Sequence, residues 1–229
     1  MESLTYVTAL VLLVCLPSVV SWTQTYYMSY YCGQSLNMSY YGIDQGRLQL
    51  TASSSYLRMT CMLTIVAPTS YKRIMLYFNS IDIKSTTQCS DDSLQLFDGP
   101  SIFSPKLSGL YNKICGNIKP VGVYATTSNS LTLLFTSRSG SFQDSGFDLV
   151  FTAYHVGSCY SNEYECSNGR CIASSLTCNG YNPCGDYSDC HISGGAIAGI
   201  VIGSIVFISI ITVASILLLR RRRFFYANM

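Results

Sequence analysis

Residues 89–99 read CSDDSLQLFDG, and the fold follows from how this stretch is built. Leu94 and Leu96 alternate with more polar neighbours, and Asp98-Gly99-Pro100 closes the run, as in a short strand buried on one face and ended by a turn. The same period of two recurs on both sides, at Cys61, Leu63 and Ile65, at Ile74, Leu76 and Phe78, at Leu131, Leu133 and Phe135, and at Phe147, Leu149 and Phe151. Ala67-Pro68 and Ser139-Gly140 punctuate the gaps, and no amphipathic helical period interrupts them. Residues 32–154, about 123 in number, are enough for one core. Short strands divided by turns predict two antiparallel sheets packed face to face.

The opening stretch, together with Ile114-Cys115-Gly116, the run 131–137 (LTLLFTS) and Gly146-Phe147, resembles a CUB domain; Ile65-Val66-Ala67-Pro68 and Arg73-Ile74 fit at earlier places. The resemblance implies a CUB-like antiparallel β-sandwich over 32–154, with disulfides Cys32 to Cys61 and Cys89 to Cys115. Many CUB domains hold calcium through three carboxylates. Here Asp92 matches one of them, while Lys84 stands where a glutamate is expected and Arg138 where an aspartate is expected. A hard divalent cation needs several oxygen ligands and is repelled by two cationic side chains, so Lys84 and Arg138 are expected to neutralise Asp92 themselves. Nine tyrosines between Trp22 and Tyr77, the pairs Tyr26-Tyr27, Tyr30-Tyr31 and Tyr40-Tyr41 among them, suit strands and also interfaces. Asn37-Met38-Ser39 is a glycosylation sequon.

Six cysteines fall between Cys159 and Cys190, a stretch too short for a hydrophobic core and dependent on staples. Counting alone allows fifteen pairings. Gly169-Arg170-Cys171-Ile172, Cys178-Asn179-Gly180 and the run 184–189 (CGDYSD) resemble the LDL-receptor class A repeat over 158–190. That family implies Cys159 to Cys171, Cys166 to Cys184 and Cys178 to Cys190. Its calcium cage is eroded: Asn179 and Pro183 replace two acidic ligands, Asp189 matches the third, and Cys190 takes the place of the last. A disulfide-stapled spacer is the expectation for this segment.

Residues 194–219 (GGAIAGIVIGSIVFISIITVASILLL) hold 26 uncharged positions and are followed by Arg220, Arg221, Arg222 and Arg223. As a helix the run covers about 39 Å, beyond the roughly 30 Å of a bilayer core, so it is expected to be one transmembrane α-helix. The arginines place the tail 220–229 in the cytoplasm and the rest outside. Residues 1–21 read as a secretory signal cut after Ser21, which removes Cys15 and leaves ten cysteines for an oxidising compartment. Gly195, Gly199 and Gly203 recur on one helix face, a groove for a homodimer through the membrane. Tyr226-Ala227-Asn228-Met229 resembles tyrosine-based sorting signals, with Tyr226 and Met229 as its two readable positions.

The formal charge of +2 does not indicate nucleic acid: without those four arginines and Glu2, ten Lys and Arg face eleven Asp and Glu. His155 and His191 border the small segment outside any nucleophile or zinc signature, so neither an enzyme nor a cofactor is expected. The whole arrangement implies a single-pass type I protein of the plasma membrane that binds an extracellular or membrane protein. In reduced form it resembles the neuropilin- and tolloid-like auxiliary subunits of neurotransmitter receptors. The function expected is that of a receptor, co-receptor or auxiliary subunit. The alternatives are an endocytic or sorting receptor, with endosomal or lysosomal residence, and a homotypic adhesion protein.

Overall fold

The computed structural model describes residues 23–84, 87–190 and 194–227, with side chains of the last helix described at 199 and from 201 to 217. The signal expected at 1–21, Cys15, His191 and Met229 lie outside the described residues, as do the side chains at 195, 220–223 and 226. Two units are present, one reaching to Asp189 and one from Cys190 to Met229.

The first unit is a β-sandwich with a small appendage. One sheet contains β1 (Thr25–Tyr27), β3 (Gln45–Gln49), β5 (Arg73–Asp82), β7 (Tyr124–Ala125) and β9 (Gly146–Val156), and continues into β11 (Arg170–Ala173) and β10 (Glu163–Glu165). The other has the order β2 (Gln34–Asn37), β4 (Met59–Val66), β8 (Ser130–Ser137), β6 (Asp92–Asp98). Between them lie Leu63, Leu94, Leu133, Phe135 and Phe151, alternating residues of the sequence, together with Leu48 of β3. Each such side chain contributes about 1.5–3 kcal/mol by leaving water.

The antiparallel expectation fails at one edge of each sheet, because β1 pairs with β3 and β2 with β4 in parallel. Only a tight hairpin forces neighbours to run oppositely. The segment from β1 to β2 instead crosses from one sheet to the other through a short turn of helix, Met28–Tyr30, and is free of that constraint. A single α-helical turn also forms at Met38–Tyr41. Asn37 caps it by accepting from the Ser39 and Tyr40 amides, and Gly42 ends it in the left-handed region at φ 63°.

The central strand β9 carries the architecture. It pairs with β3 and β5 along its length and with β11 at its end, through Arg170 opposite Val156 and Cys171 opposite His155. Phe147, Leu149, Phe151 and Ala153 point into the sandwich. The alternate positions Asp148, Val150, Thr152 and Tyr154 are buried as well, so this sheet has two covered faces. Gly46 on β3 permits the close packing: a Cβ there would lie 2.4 Å from Cζ of Phe151.

The second unit contains the helix Gly194–Ala227, 34 residues and about 51 Å long. Its described side chains, 201 to 217, are almost all exposed, with Ile211 and Ser215 partly covered. Among the described residues no helix is long and apolar enough to cross a membrane.

Candidate functional site

Three places collect the residues that the sequence singles out: the loop-rich end around Asp92, the seam where β10 and β11 join β9, and the second unit's helix.

Asp92 opens β6 and is fully buried. Its Oδ2 accepts from the Tyr56 hydroxyl at 2.9 Å and its Oδ1 from the Arg138 backbone amide at 3.0 Å. The Tyr56 hydroxyl in turn accepts from the Lys84 amide at 2.9 Å. Arg138 therefore reaches Asp92 through its main chain and Lys84 is linked to it only by way of Tyr56, whereas both side chains turn elsewhere. Lys84 Nζ donates to Ser139 Oγ at 3.1 Å, and the exposed Arg138 guanidinium lies 4.0 Å from Asp91. This corrects the expected side-chain neutralisation of Asp92. A buried carboxylate is better satisfied by fixed dipoles than by flexible cations that would also have to be desolvated. Burial, then the hydrogen bond to Asp92, push the Tyr56 phenol well above its ordinary range, so it stays a donor.

The seam is where the small segment departs from a spacer. Met75 and Tyr154 of the sandwich form one apolar cluster with Cys166, Ile172 and Cys184 of the appendage. Arg170 lies across it: its guanidinium sits 4.9 Å above the Tyr154 ring and donates to the Cys184 carbonyl at 3.2 Å. Asn179, at a position of the eroded calcium cage, donates from Nδ2 to Gln45 Oε1 at 2.7 Å. Gln45 Nε2 passes the chain on to Thr152 Oγ1 at 3.1 Å. The Asn182 amide donates to the Tyr77 hydroxyl at 3.2 Å, and burial pushes that phenol up to about 12. Asp189 is buried and accepts from the Cys178 amide at 3.2 Å; burial raises its carboxyl against that bond. One position of the eroded cage, Asn179, is thus spent on joining two parts of the chain, while Asp189 bonds within its own module.

At the far end of the seam His155 Nε2 and Glu163 Oε2 lie 2.7 Å apart, both shielded from water. Cys171 comes within ligand distance of the two, but its sulfur is committed to Cys159, so this trio lacks the thiolate a metal would use. Disulfides also join Cys32 to Cys61, Cys89 to Cys115 and Cys166 to Cys184, and Cys178 and Cys190 are each disulfide-bonded.

The tyrosines divide. Tyr26 is buried and contacts Tyr31 and Tyr41 edge to face, while Tyr30 and Tyr40 are exposed. Burial, with Tyr31 and Tyr41 nearby, lifts the Tyr26 phenol to about 12, and its hydroxyl lacks a partner among the described residues. In the second unit's helix, nothing approaches the Cβ positions of Gly199 and Gly203 within 4 Å.

Comparison with known proteins assigns the modules. The CUB domain model matches residues 45–151 and the low-density lipoprotein receptor class A model matches residues 157–191, so the chain carries one of each. Both are non-catalytic binding modules. Abnormal cell migration protein 13 of Caenorhabditis elegans is 25% identical over 146 residues, 56% of this chain and 40% of that protein. CUB and zona pellucida-like domain-containing protein 1 of Homo sapiens is 32% identical over 111 residues, 48% of this chain and 17% of that protein. The solved CUB1-EGF-CUB2 domains of rat MASP-1 align at a TM-score of 0.41 and 16% identity, covering 60% of this chain and 57% of that one. The chain therefore spans well under half the length of these two curated relatives.

Proposed function

We propose that this chain is a cell-surface receptor, co-receptor or auxiliary subunit that binds another extracellular or membrane protein through its CUB ectodomain. The observation that carries this reading is the seam. Joining the class A module to β9 through Arg170 and a shared apolar cluster, and to β3 through Asn179, makes one compact body from two binding modules. A preordered body of this kind loses little conformational entropy on meeting a partner. The run 194–219 serves as the membrane anchor, with Arg220–Arg223 held at the cytoplasmic leaflet. Gly199 and Gly203 leave one stretch of its surface open to a second helix, consistent with a homodimer.

Proximity labelling with the full-length chain at the cell surface tests the reading. Labelling of a reproducible set of surface or secreted proteins supports it, and labelling of cytosolic proteins by an enzyme fused ahead of β1 overturns it. A second reading, endocytic sorting, draws on Tyr226 and Met229. It requires that Tyr226→Ala shift the steady-state population toward the plasma membrane.

A further inference from the structure

The segment from Gly99 to Tyr124 holds no Asp or Glu but carries Lys106, Lys113 and Lys119. It surrounds a cleft of about 640 Å³ whose lining includes Tyr111, Lys113, Ile118, Lys119, Val121 and Tyr124, with the Cys89–Cys115 disulfide below. Tyr111, Ile118 and Val121 are 81%, 84% and 89% exposed, which is unusual for three bulky apolar residues gathered in one place.

This loop is held in shape. Leu94 and Ile114 exchange two backbone hydrogen bonds of 2.9 Å, Ile83 and Gly116 exchange two of 3.0 and 2.7 Å, and the Tyr124 hydroxyl donates to the Val121 carbonyl at 3.0 Å. The apolar residues are therefore displayed by a fixed backbone rather than left over from a floppy one. Among the described residues, neither Lys113 nor Lys119 pairs with a carboxylate. Asp82 and Asp144, which line a neighbouring depression beyond Ile118, are engaged by Ser145 and Ser141. Lys106 is already used, by Gln95 and over the Phe97 ring.

We propose that this cleft docks an acidic segment of a partner protein. A bulky apolar side chain of that segment seats among Tyr111, Ile118 and Val121, and its carboxylates meet Lys113 and Lys119. Apolar contact supplies the affinity and the lysines supply steering and register. A purely polyanionic ligand would leave the three apolar residues in water, which is why the occupant is a polypeptide. The assignment rests on the protein-binding reading above and names the surface and the chemistry it uses.

The test measures fluorescence anisotropy with the full-length chain in detergent micelles. The probes are labelled peptides in which Asp and Glu flank a central Phe or Leu, the same peptides with Lys in place of the acids, and a heparin oligosaccharide. The expected result is saturable binding of the acidic peptides alone, weakened by salt. Lys113→Glu with Lys119→Glu should reduce it about tenfold, Ile118→Ser should reduce it also, and Lys72→Glu, a charge reversal at an exposed site elsewhere, should not. All four sites are exposed, so the variants are expected to fold; unchanged melting temperatures check this. The inference is overturned if no acidic peptide binds, if the Lys72 variant loses as much, or if heparin alone binds. Should the peptides fail while proximity labelling still finds surface partners, the cleft assignment falls and the protein-binding reading stands.

Discussion

Asn179 and Gln45 stand 134 residues apart in the chain and meet through a 2.7 Å hydrogen bond that is buried at both ends. In a class A repeat with an intact cage the first of these positions would hold an acid directed at calcium. Here it is an amide directed at a neighbouring β-strand, and the small module becomes an extension of the sandwich.

Asn179→Ala removes the donor and leaves the Gln45 carbonyl with only a 3.3 Å contact from Thr23. The expected cost is about 1–2 kcal/mol, seen as a fall in melting temperature of roughly 2–8 °C. Making Gln45→Leu in the same chain should recover only the part of the loss that comes from the unpaired Gln45 carbonyl, because it takes the Gln45 donor away from the buried Thr152 hydroxyl. A double-mutant cycle measured by thermal unfolding checks this.

Arg170→Ala strips the stacking on Tyr154 and the bond to the Cys184 carbonyl, a loss of about 1–2 kcal/mol. The seam should open before the sandwich melts, so limited proteolysis is expected to cut near Gly157-Ser158 faster while the rest of the protein stays resistant.

Gly46→Ala places a methyl group into the Phe151 ring. Overpacking of this kind costs about 1–3 kcal/mol, and the amount of chain reaching the cell surface should fall accordingly. Surface labelling against total expression reads the effect.

Two carboxylates should respond to pH with opposite sign. Burial, followed by the nearby Glu163 charge, raises the Asp44 carboxyl in the folded state. Its favourable contribution is therefore complete below about pH 3.9, the unfolded value, and disappears as pH rises through the folded one. Asp44→Asn is expected to raise the melting temperature at pH 7, with the gain vanishing below about pH 4. For Asp98, burial pushes upward, but hydrogen bonds from Thr127 and Ser128 win and lower the carboxyl. Its contribution is present above about pH 3.9 and lost as pH falls through the folded value, so Asp98→Asn should cost stability at pH 7 and little in strong acid. Thermal melts across pH 2.5–7 distinguish the two.

Calcium is expected to leave the chain unchanged. Calorimetric titration up to about 1 mM, the range of extracellular modules, should show no saturable heat, and Asp92→Asn should not alter that result. A saturable signal lost in the Asp92 variant would restore a metal to this end of the sandwich.

Much of the fold could be read from the residues themselves. Alternation at Leu94, Leu96, Leu133, Phe135, Phe147 and Phe151 marks the inner faces, because on a strand the side-chain period is set by the backbone alone. Spacing motifs identify both modules, and replaced carboxylates at Lys84, Arg138, Asn179 and Pro183 are visible without any coordinates. What tertiary structure decided is where displaced groups go. The period of two marks Asp148 and Thr152 as solvent-facing, yet both are buried, because side chains brought from β3 and from the small module cover that face. Likewise, cationic side chains suggest ion pairs with Asp92, while the fold satisfies it with a phenol and an amide. A strand's own period reports which of its faces can be apolar. Which distant segment covers the other face, and which of several donors reaches a buried acid, depends on contacts between residues far apart in the chain.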